Sequence, residues 1–155
     1  MMSTLPRFAR RALNASLFLL VVSSFASAQA TPRPYKAHLT TTTTSVTPVS
    51  ATQVLLTYVA TGQGTHVGSY QESGSYTLDL TTFTFVGAAT VTAADGSTFS
   101  FTIAGAFTGA TTLEGTTSMT GGTGRFAGAT GAFAFTGEQT SPVNIAAEIS
   151  GWIQF

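Results

Sequence analysis

Apolar and polar residues alternate with a period of two along most of the chain after residue 34. Near the middle, Phe99, Phe101 and Ile103 are separated by single polar or small residues. Near the end of the chain, one set of alternate positions is almost wholly apolar: Val143, Ile145, Ala147, Ile149, Gly151, Ile153 and Phe155. Successive side chains of a strand point to opposite faces, so this period predicts strands with one buried and one solvated face. No window shows a helical period.

Turn residues divide this pattern into short segments. Asp95-Gly96 lies between two alternating segments and is a strong signal for a β-hairpin. Other breaks are predicted near 62–64, 73–74, 81–82, 109 and 121–124. Nine segments carry the strand pattern and predict roughly eight strands: 36–46, 53–60, 65–72, 75–80, 83–93, 98–107, 112–120, 126–136 and 144–154. Short, regular spacing favours an antiparallel up-and-down meander.

The run Thr40–Thr44 has two readings. It is typical of a low-complexity stalk. It also continues the alternation that begins at Tyr35, Ala37 and Leu39, and β-branched residues suit a pleated surface. We prefer a first strand and keep the stalk as the alternative.

The first thirty residues predict an export signal, which is set apart from the fold. A basic start is followed by an apolar run over 13–22 and by small residues, with cleavage after Ala28 or Ala30. An uncleaved anchor is the alternative, and Arg10-Arg11 leaves twin-arginine export open. The predicted organisation is a signal peptide at 1–30, a short linker at 31–34 and a single β-barrel domain at 35–155. The mature protein would then be periplasmic or extracellular, with no membrane span after cleavage.

Charged residues are scarce, at 8% of the 155 residues, against about a quarter in typical soluble domains. Threonine is abundant instead, at 30 positions. Without residues 1–30 the chain has 3 basic and 6 acidic side chains, a net charge of −3. Nucleic acids and anionic membrane surfaces require a basic face, so both are excluded as partners. The chain has no cysteine and therefore no disulfide framework.

The scarcity of charged residues also has a consequence for the edge strands of the sheet. Open sheets protect their edge strands with lysine, proline or bulges, and this sequence offers little such protection. A sheet that closes on itself has no edges. We therefore predict an all-β fold, a small antiparallel up-and-down barrel of about eight strands with apolar side chains inside. A β-sandwich is the alternative.

Three motifs carry a resemblance to a known class of barrel. The segment 121–131, GGTGRFAGATG, resembles a turn and strand of dirigent-like and allene oxide cyclase-like barrels. Small exported bacterial relatives of that class also carry a motif similar to 64–68, GTHVG, and the hairpin at 93–96, AADG. The resemblance spans about residues 33–155. It implies an eight-stranded antiparallel barrel, trimeric in the plant members, and it assigns no catalytic residue to this chain.

The side chains with candidate chemistry are few. His66, Arg125 and Glu138 are the ligand-binding candidates; Arg125 could instead form a structural pair with Glu138 or Glu114. Structural turns are predicted at Asp95, Gly96, Gly121, Gly122, Gly124 and Gly128. With two histidines and no cysteine, no metal site is predicted, and no cofactor is expected.

Two functions of different classes remain. The first is a non-enzymatic module that binds a small apolar molecule or serves a structural or interaction role. The second is a cofactor-free cyclase or isomerase acting on a hydrophobic molecule in the lumen. It would need an inward carboxylate, His66 or Arg125 beside a cavity. The acid candidates are Glu72, Glu114, Glu138 and Glu148, of which Glu148 is expected to point outward.

Overall fold

The computed structural model describes residues 31–155, which form a closed eight-stranded antiparallel barrel. Each strand pairs with the next along the chain, and the last pairs with the first from Arg33↔Ile153 to Thr42↔Asn144. The strands are β1 (Arg33–Pro48), β2 (Gln53–Gly64), β3 (Gly68–Asp79), β4 (Thr84–Ala93), β5 (Thr98–Phe107), β6 (Thr112–Gly122), β7 (Thr130–Gln139) and β8 (Asn144–Gln154). The predicted signal peptide lies outside the described residues. Within 31–155, no helix has the length and apolar character needed to cross a membrane.

The closed barrel confirms the predicted fold and excludes the β-sandwich. The threonine run at 40–44 lies inside β1, so the stalk alternative is wrong. The hairpin at Asp95-Gly96 joins β4 to β5, with Gly96 at a φ of 82° and the Asp95 carboxylate accepting a hydrogen bond from the Ser97 N–H.

Several predicted boundaries are wrong. The strand predicted at 65–72 begins only at Gly68, since β2 extends to Gly64 and the turn follows it. The break at 73–74 does not exist, because β3 runs without interruption through Ser73 and Gly74. The strand predicted at 126–136 begins only at Thr130, since the chain first forms a short 3-10 helix, Gly124–Phe126. Arg33 already pairs with β8, so half of the predicted linker belongs to the barrel.

The core lies inside the barrel, because alternate side chains of every strand point inward. The buried apolar residues on β5, Phe99, Phe101 and Ile103, are those that the alternation predicts. Ile153 of β8 is also fully buried. The outer face is mostly threonine, serine and alanine, which leaves little charge on the barrel wall.

The two ends of the barrel differ. One end, here called the closed end, carries the β2–β3, β4–β5 and β6–β7 connections. It is sealed by Phe126 and Ile153, both with 0% exposure, and by Phe155, whose ring meets that of Phe126 edge-on at 5.7 Å. The other end, the open end, carries the remaining turns, and lumen side chains near it, such as Phe107, Phe135 and Ile145, keep partial exposure.

The glycine-rich segment 121–131 builds the seal. Gly124 and Gly128 have φ of 58° and 75°, the left-handed region that favours glycine, and they let the chain turn inward and out again. Gly122 is required for a different reason, because a Cβ there would lie 2.5 Å from the Phe126 carbonyl oxygen. The motif behind the family resemblance therefore has a structural role: it places Phe126 in the end of the lumen.

Candidate functional site

The barrel lumen contains a cavity of about 90 Å³. Its wall is mostly aromatic and aliphatic, with contributions from all eight strands. The polar groups that reach it are few: one carboxyl group, Glu72, the tyrosines Tyr35, Tyr58, Tyr70 and Tyr76, and the threonines Thr41, Thr43 and Thr117. An apolar cavity with a few convergent polar groups is typical of a small-molecule site.

Glu72 is the central polar group of the cavity. It lies on β3 with its side chain inward and only 6% of the residue exposed. The Tyr58 hydroxyl donates a hydrogen bond to its Oε1 at 2.7 Å. Among the described residues, no buried side-chain nitrogen or oxygen lacks a hydrogen-bond partner. The Glu72–Tyr58 pair is thus a satisfied polar unit inside an apolar wall.

Glycines on neighbouring strands make room for the tyrosine rings. A Cβ at Gly74 would lie 2.9 Å from the Tyr58 hydroxyl oxygen and 2.5 Å from the Ala89 Cβ. A Cβ at Gly62 would lie 2.5 Å from the Tyr70 ring, and one at Gly64 would lie 2.6 Å from the Tyr35 hydroxyl oxygen. Each would be a steric clash, so these inward glycines leave the space that the tyrosine side chains occupy.

Burial sets the protonation of this group. Desolvation raises the pKa of Glu72 from 4.5 to about 7, and the hydrogen bond from Tyr58 opposes the rise because it stabilises the carboxylate. Burial and the nearby Glu72 charge raise the pKa of Tyr35, Tyr58 and Tyr70 as well. The tyrosines therefore stay neutral donors, while Glu72 can hold or release a proton near neutral pH.

The site can accept, donate or transfer a proton at one point of an otherwise apolar surface. As a carboxylate, Glu72 can accept hydrogen bonds from a ligand or pair with a cation. As a carboxylic acid, it can donate to a carbonyl or ether oxygen. Inward residues on β3 follow the order Tyr70, Glu72, Gly74, Tyr76, so Glu72 lies nearer the closed end.

His66 and Arg125 lie at the closed end, outside the cavity. The Arg125 guanidinium donates to the carbonyl oxygens of His66 and Val67, both at 2.8 Å, and forms a salt bridge with Asp95 at 2.9 Å. Arg125 therefore ties the β6–β7 connection to the β2–β3 and β4–β5 turns. The predicted structural pair with Glu138 or Glu114 is wrong, since the partner is Asp95.

His66 occupies the β2–β3 turn with a φ of 67°. Its Nε2 lies 3.2 Å from the Pro34 carbonyl oxygen, and its ring contacts the edge of Phe155. These contacts connect the turn to the first strand and to the end of the chain. They do not bring the imidazole to the lumen.

Glu138, the third ligand-binding candidate, is exposed near the end of β7. Glu114 and Glu148 are exposed as well, and Glu148 points outward as the alternation of β8 predicts. Of the four acids considered for the enzyme alternative, Glu72 alone faces the cavity. Within residues 31–155, no three histidine, aspartate or glutamate side chains are grouped so that they could hold a metal ion.

The sequence did contain a signal for Glu72 as the main polar group. Tyr70, Glu72, Tyr76 and Leu78 are all an even number of residues apart, so an uninterrupted strand places them on one face. The predicted break at 73–74 removed that inference, because the relative orientation of two segments is lost when a turn is placed between them.

Comparison with known proteins identifies the fold. No protein-family model matches the sequence, and no curated protein matches it significantly. Among solved structures, the chain is similar to the pterocarpan synthase dirigent protein GePTS1, with a TM-score of 0.55 and 15% sequence identity over 84% of this chain and 89% of the other. The chain thus has a dirigent-like β-barrel fold.

Proposed function

We propose that the barrel binds a small, mostly apolar molecule carrying one hydrogen-bonding group, with that group placed at Glu72 and Tyr58. The observation that carries this proposal is the lumen cavity itself: an apolar wall, one buried carboxyl group and one end open to solvent. A protein that needed only a stable barrel would gain more from filling the space with apolar side chains, because buried ionisable groups are costly.

The size of the cavity limits what it can enclose. An apolar cavity of about 150 Å³ holds a benzene-sized molecule, and this one is smaller, at about 90 Å³. The enclosed part of the ligand is therefore small, and a longer ligand would extend toward the open end. Exposed apolar side chains on the turns there would offer it further contacts: Val49, Leu80, Phe83 and Val143.

The cellular setting belongs to the same proposal. The signal-like pattern at 1–30 supports export to the periplasm or the extracellular space, where the ligand would be met. The charge of −3 over residues 31–155 argues against a nucleic-acid partner. Assembly into a homotrimer stays a prediction from the resemblance alone.

A second function is favoured by one observation. A carboxyl group with its pKa raised to about 7 suits general acid or base catalysis, because such a group can both give and take a proton near neutral pH. A cofactor-free cyclase or isomerase would place the reacting atom of its substrate beside Glu72. Catalysis would be favoured over simple binding if the protein converts a substrate, and if Glu72→Gln abolishes that conversion without weakening substrate binding.

Filling the cavity should block ligand binding. Ala147 of β8 lines the lumen, whereas its neighbour Ala146 faces solvent. We expect Ala147→Phe to weaken the binding of hexan-1-ol at least about tenfold, which is about 1.4 kcal/mol, since the ring would occupy the site. The measurement is an NMR titration of the labelled protein.

The matched control is Ala146→Phe, which adds the same ring outside the barrel and should bind hexan-1-ol as the unmodified protein does. Overpacking can destabilise a core, so circular dichroism should first show that both variants are folded, with Ala147→Leu as the milder replacement. If the folded lumen variants bind as tightly as the control, the ligand site is not the lumen and the proposal is wrong.

A further inference from the structure

Positive and negative side chains are unevenly distributed along the barrel. The cations of the described residues, Arg33, Lys36 and Arg125, all lie at the closed end. Arg33 and Arg125 stack on the rings of Phe155 and Phe126, and Arg125 also pairs with Asp95. Arg33 and Arg125 thus lie at the seal, outside the cavity, and Lys36 lies on the outer face of β1.

The open end carries acids instead. Asp79 ends β3, Glu114 lies near the start of β6, and Glu138 lies near the end of β7. All three positions are at the end through which a ligand would enter. A single sign of charge at the mouth of a low-dielectric site attracts ligands of the opposite charge and repels those of the same charge.

Inside the lumen, one negative group faces several aromatic rings. The titratable groups around Glu72 are Tyr35 from β1, Tyr58 from β2, and Tyr70 and Tyr76 from β3. The parts of β4 to β8 that line the cavity contribute phenylalanine, aliphatic residues and Thr117, with no lysine, arginine or histidine. The ionised carboxylate therefore has no countercharge in the cavity.

We propose that the ligand is a cation: an apolar amine whose ammonium group pairs with the Glu72 carboxylate and contacts the faces of the surrounding tyrosine rings. This inference rests on the proposed lumen site and names the class of molecule it takes. Aromatic faces attract ammonium groups through the ring quadrupole. An apolar carboxylic acid would meet acids at the mouth and an uncompensated carboxylate inside.

The energetics favour an amine over a neutral ligand of the same shape. A buried carboxylate without a countercharge is disfavoured even when it accepts a hydrogen bond, so the Glu72 carboxyl tends to hold a proton near neutral pH. When an ammonium group binds, it supplies the missing positive charge, and the Glu72 carboxyl releases its proton to solvent. Hydrogen bonding alone, which is all that an alcohol offers, would leave the charge uncompensated.

Three probes of equal chain length test this inference: hexylamine, hexan-1-ol and hexanoate. Binding to the unmodified protein at pH 8 would be measured by isothermal titration calorimetry. We expect hexylamine to bind at least about tenfold more tightly than hexan-1-ol, and hexanoate to bind more weakly than either. Acidification from pH 8 to pH 5 should weaken hexylamine binding by up to about a hundredfold through protonation of Glu72, with a much smaller effect on hexan-1-ol.

Two variants separate the lumen from the mouth. Glu72→Gln should abolish the preference for hexylamine and retain hexan-1-ol binding, whereas Glu138→Gln, at an exposed acid, should keep most of the preference. If hexan-1-ol binds as tightly as hexylamine, or if Glu72→Gln keeps the preference, the inference is overturned and the proposed lumen site stands. If none of the probes binds in the lumen, both fail.

Discussion

Phe126→Ala is expected to lower the free energy of unfolding by about 3 to 5 kcal/mol, the range for removing a buried phenylalanine ring. Phe126 has 0% exposure, and its ring packs edge-on against Phe99 at 5.1 Å and against Phe155 at 5.7 Å. Its removal would leave a hole at the closed end and let water reach the cavity from that side. Urea denaturation at a fixed pH measures the effect.

A second phenylalanine provides the matched control. Phe83, in the β3–β4 turn at the open end, is 53% exposed. We expect Phe83→Ala to change the free energy of unfolding by no more than about 0.5 kcal/mol, as for other exposed positions. A loss below about 1 kcal/mol for Phe126→Ala, or an equal loss for the two variants, would show that Phe126 does not seal the barrel.

Stability should fall by about 3 kcal/mol as the pH rises through the range in which Glu72 ionises. The folded state raises the pKa of Glu72 from 4.5 to about 7 through burial, and each unit corresponds to about 1.36 kcal/mol. Below pH 4.5 the carboxyl is protonated in both states and has no ionisation penalty. Above pH 7 it is ionised in both, and the folded protein bears the full cost of the buried charge.

Glu72→Gln should remove this dependence between pH 4.5 and pH 7, because an amide does not ionise there. Glu138→Gln, at an exposed position, should retain it. Asp79 and Asp95 affect stability in a lower pH range. Hydrogen bonds lower their pKa values in the folded protein, to about 2 for Asp79. The stability that these carboxylates contribute is therefore lost only as the pH falls below 3.8, their ordinary pKa. Urea denaturation across this pH range would contradict the account if the unmodified protein and Glu72→Gln gave parallel curves.

Period-two alternation and scarce charge were enough to predict the barrel. The alternation at Phe99, Phe101 and Ile103 is local, and it identifies the buried face wherever a strand is continuous. Closure follows from a sheet with poorly protected edges. The alternation and the low charge extend along the whole barrel sequence. An error of several residues at one predicted boundary therefore does not change the predicted fold.

Individual side-chain partners could not be predicted in the same way. The sequence predicts a turn at Gly74, but this glycine lies within β3, where Tyr58 and Ala89 of the neighbouring strands approach it closely. Arg125 pairs with Asp95, thirty positions away, because the up-and-down topology brings alternate turns to the same end. Such contacts depend on which strands are neighbours and in what register, and local sequence does not specify either.

For the same reason, the sequence alone does not identify Glu72 as the leading site residue. Glu72 lies between Gln71 and Ser73, and an acid between polar neighbours can be assigned to either face until the strand is known to be continuous. Its partner Tyr58 lies on β2, fourteen residues earlier. The glycines that admit the tyrosine rings belong to both strands, so the site emerges only when β2 and β3 are paired.

A ¹³C NMR titration of the Glu72 side-chain carboxyl in the ligand-free protein, assigned by comparison with Glu72→Gln, shows whether water solvates this group in the lumen. We expect the Glu72 titration to have its midpoint near pH 7, because the carboxyl lies in an apolar lumen sealed at one end. A midpoint at or below 4.5 would mean that water solvates the carboxyl, and the lumen could not be the apolar binding site described here.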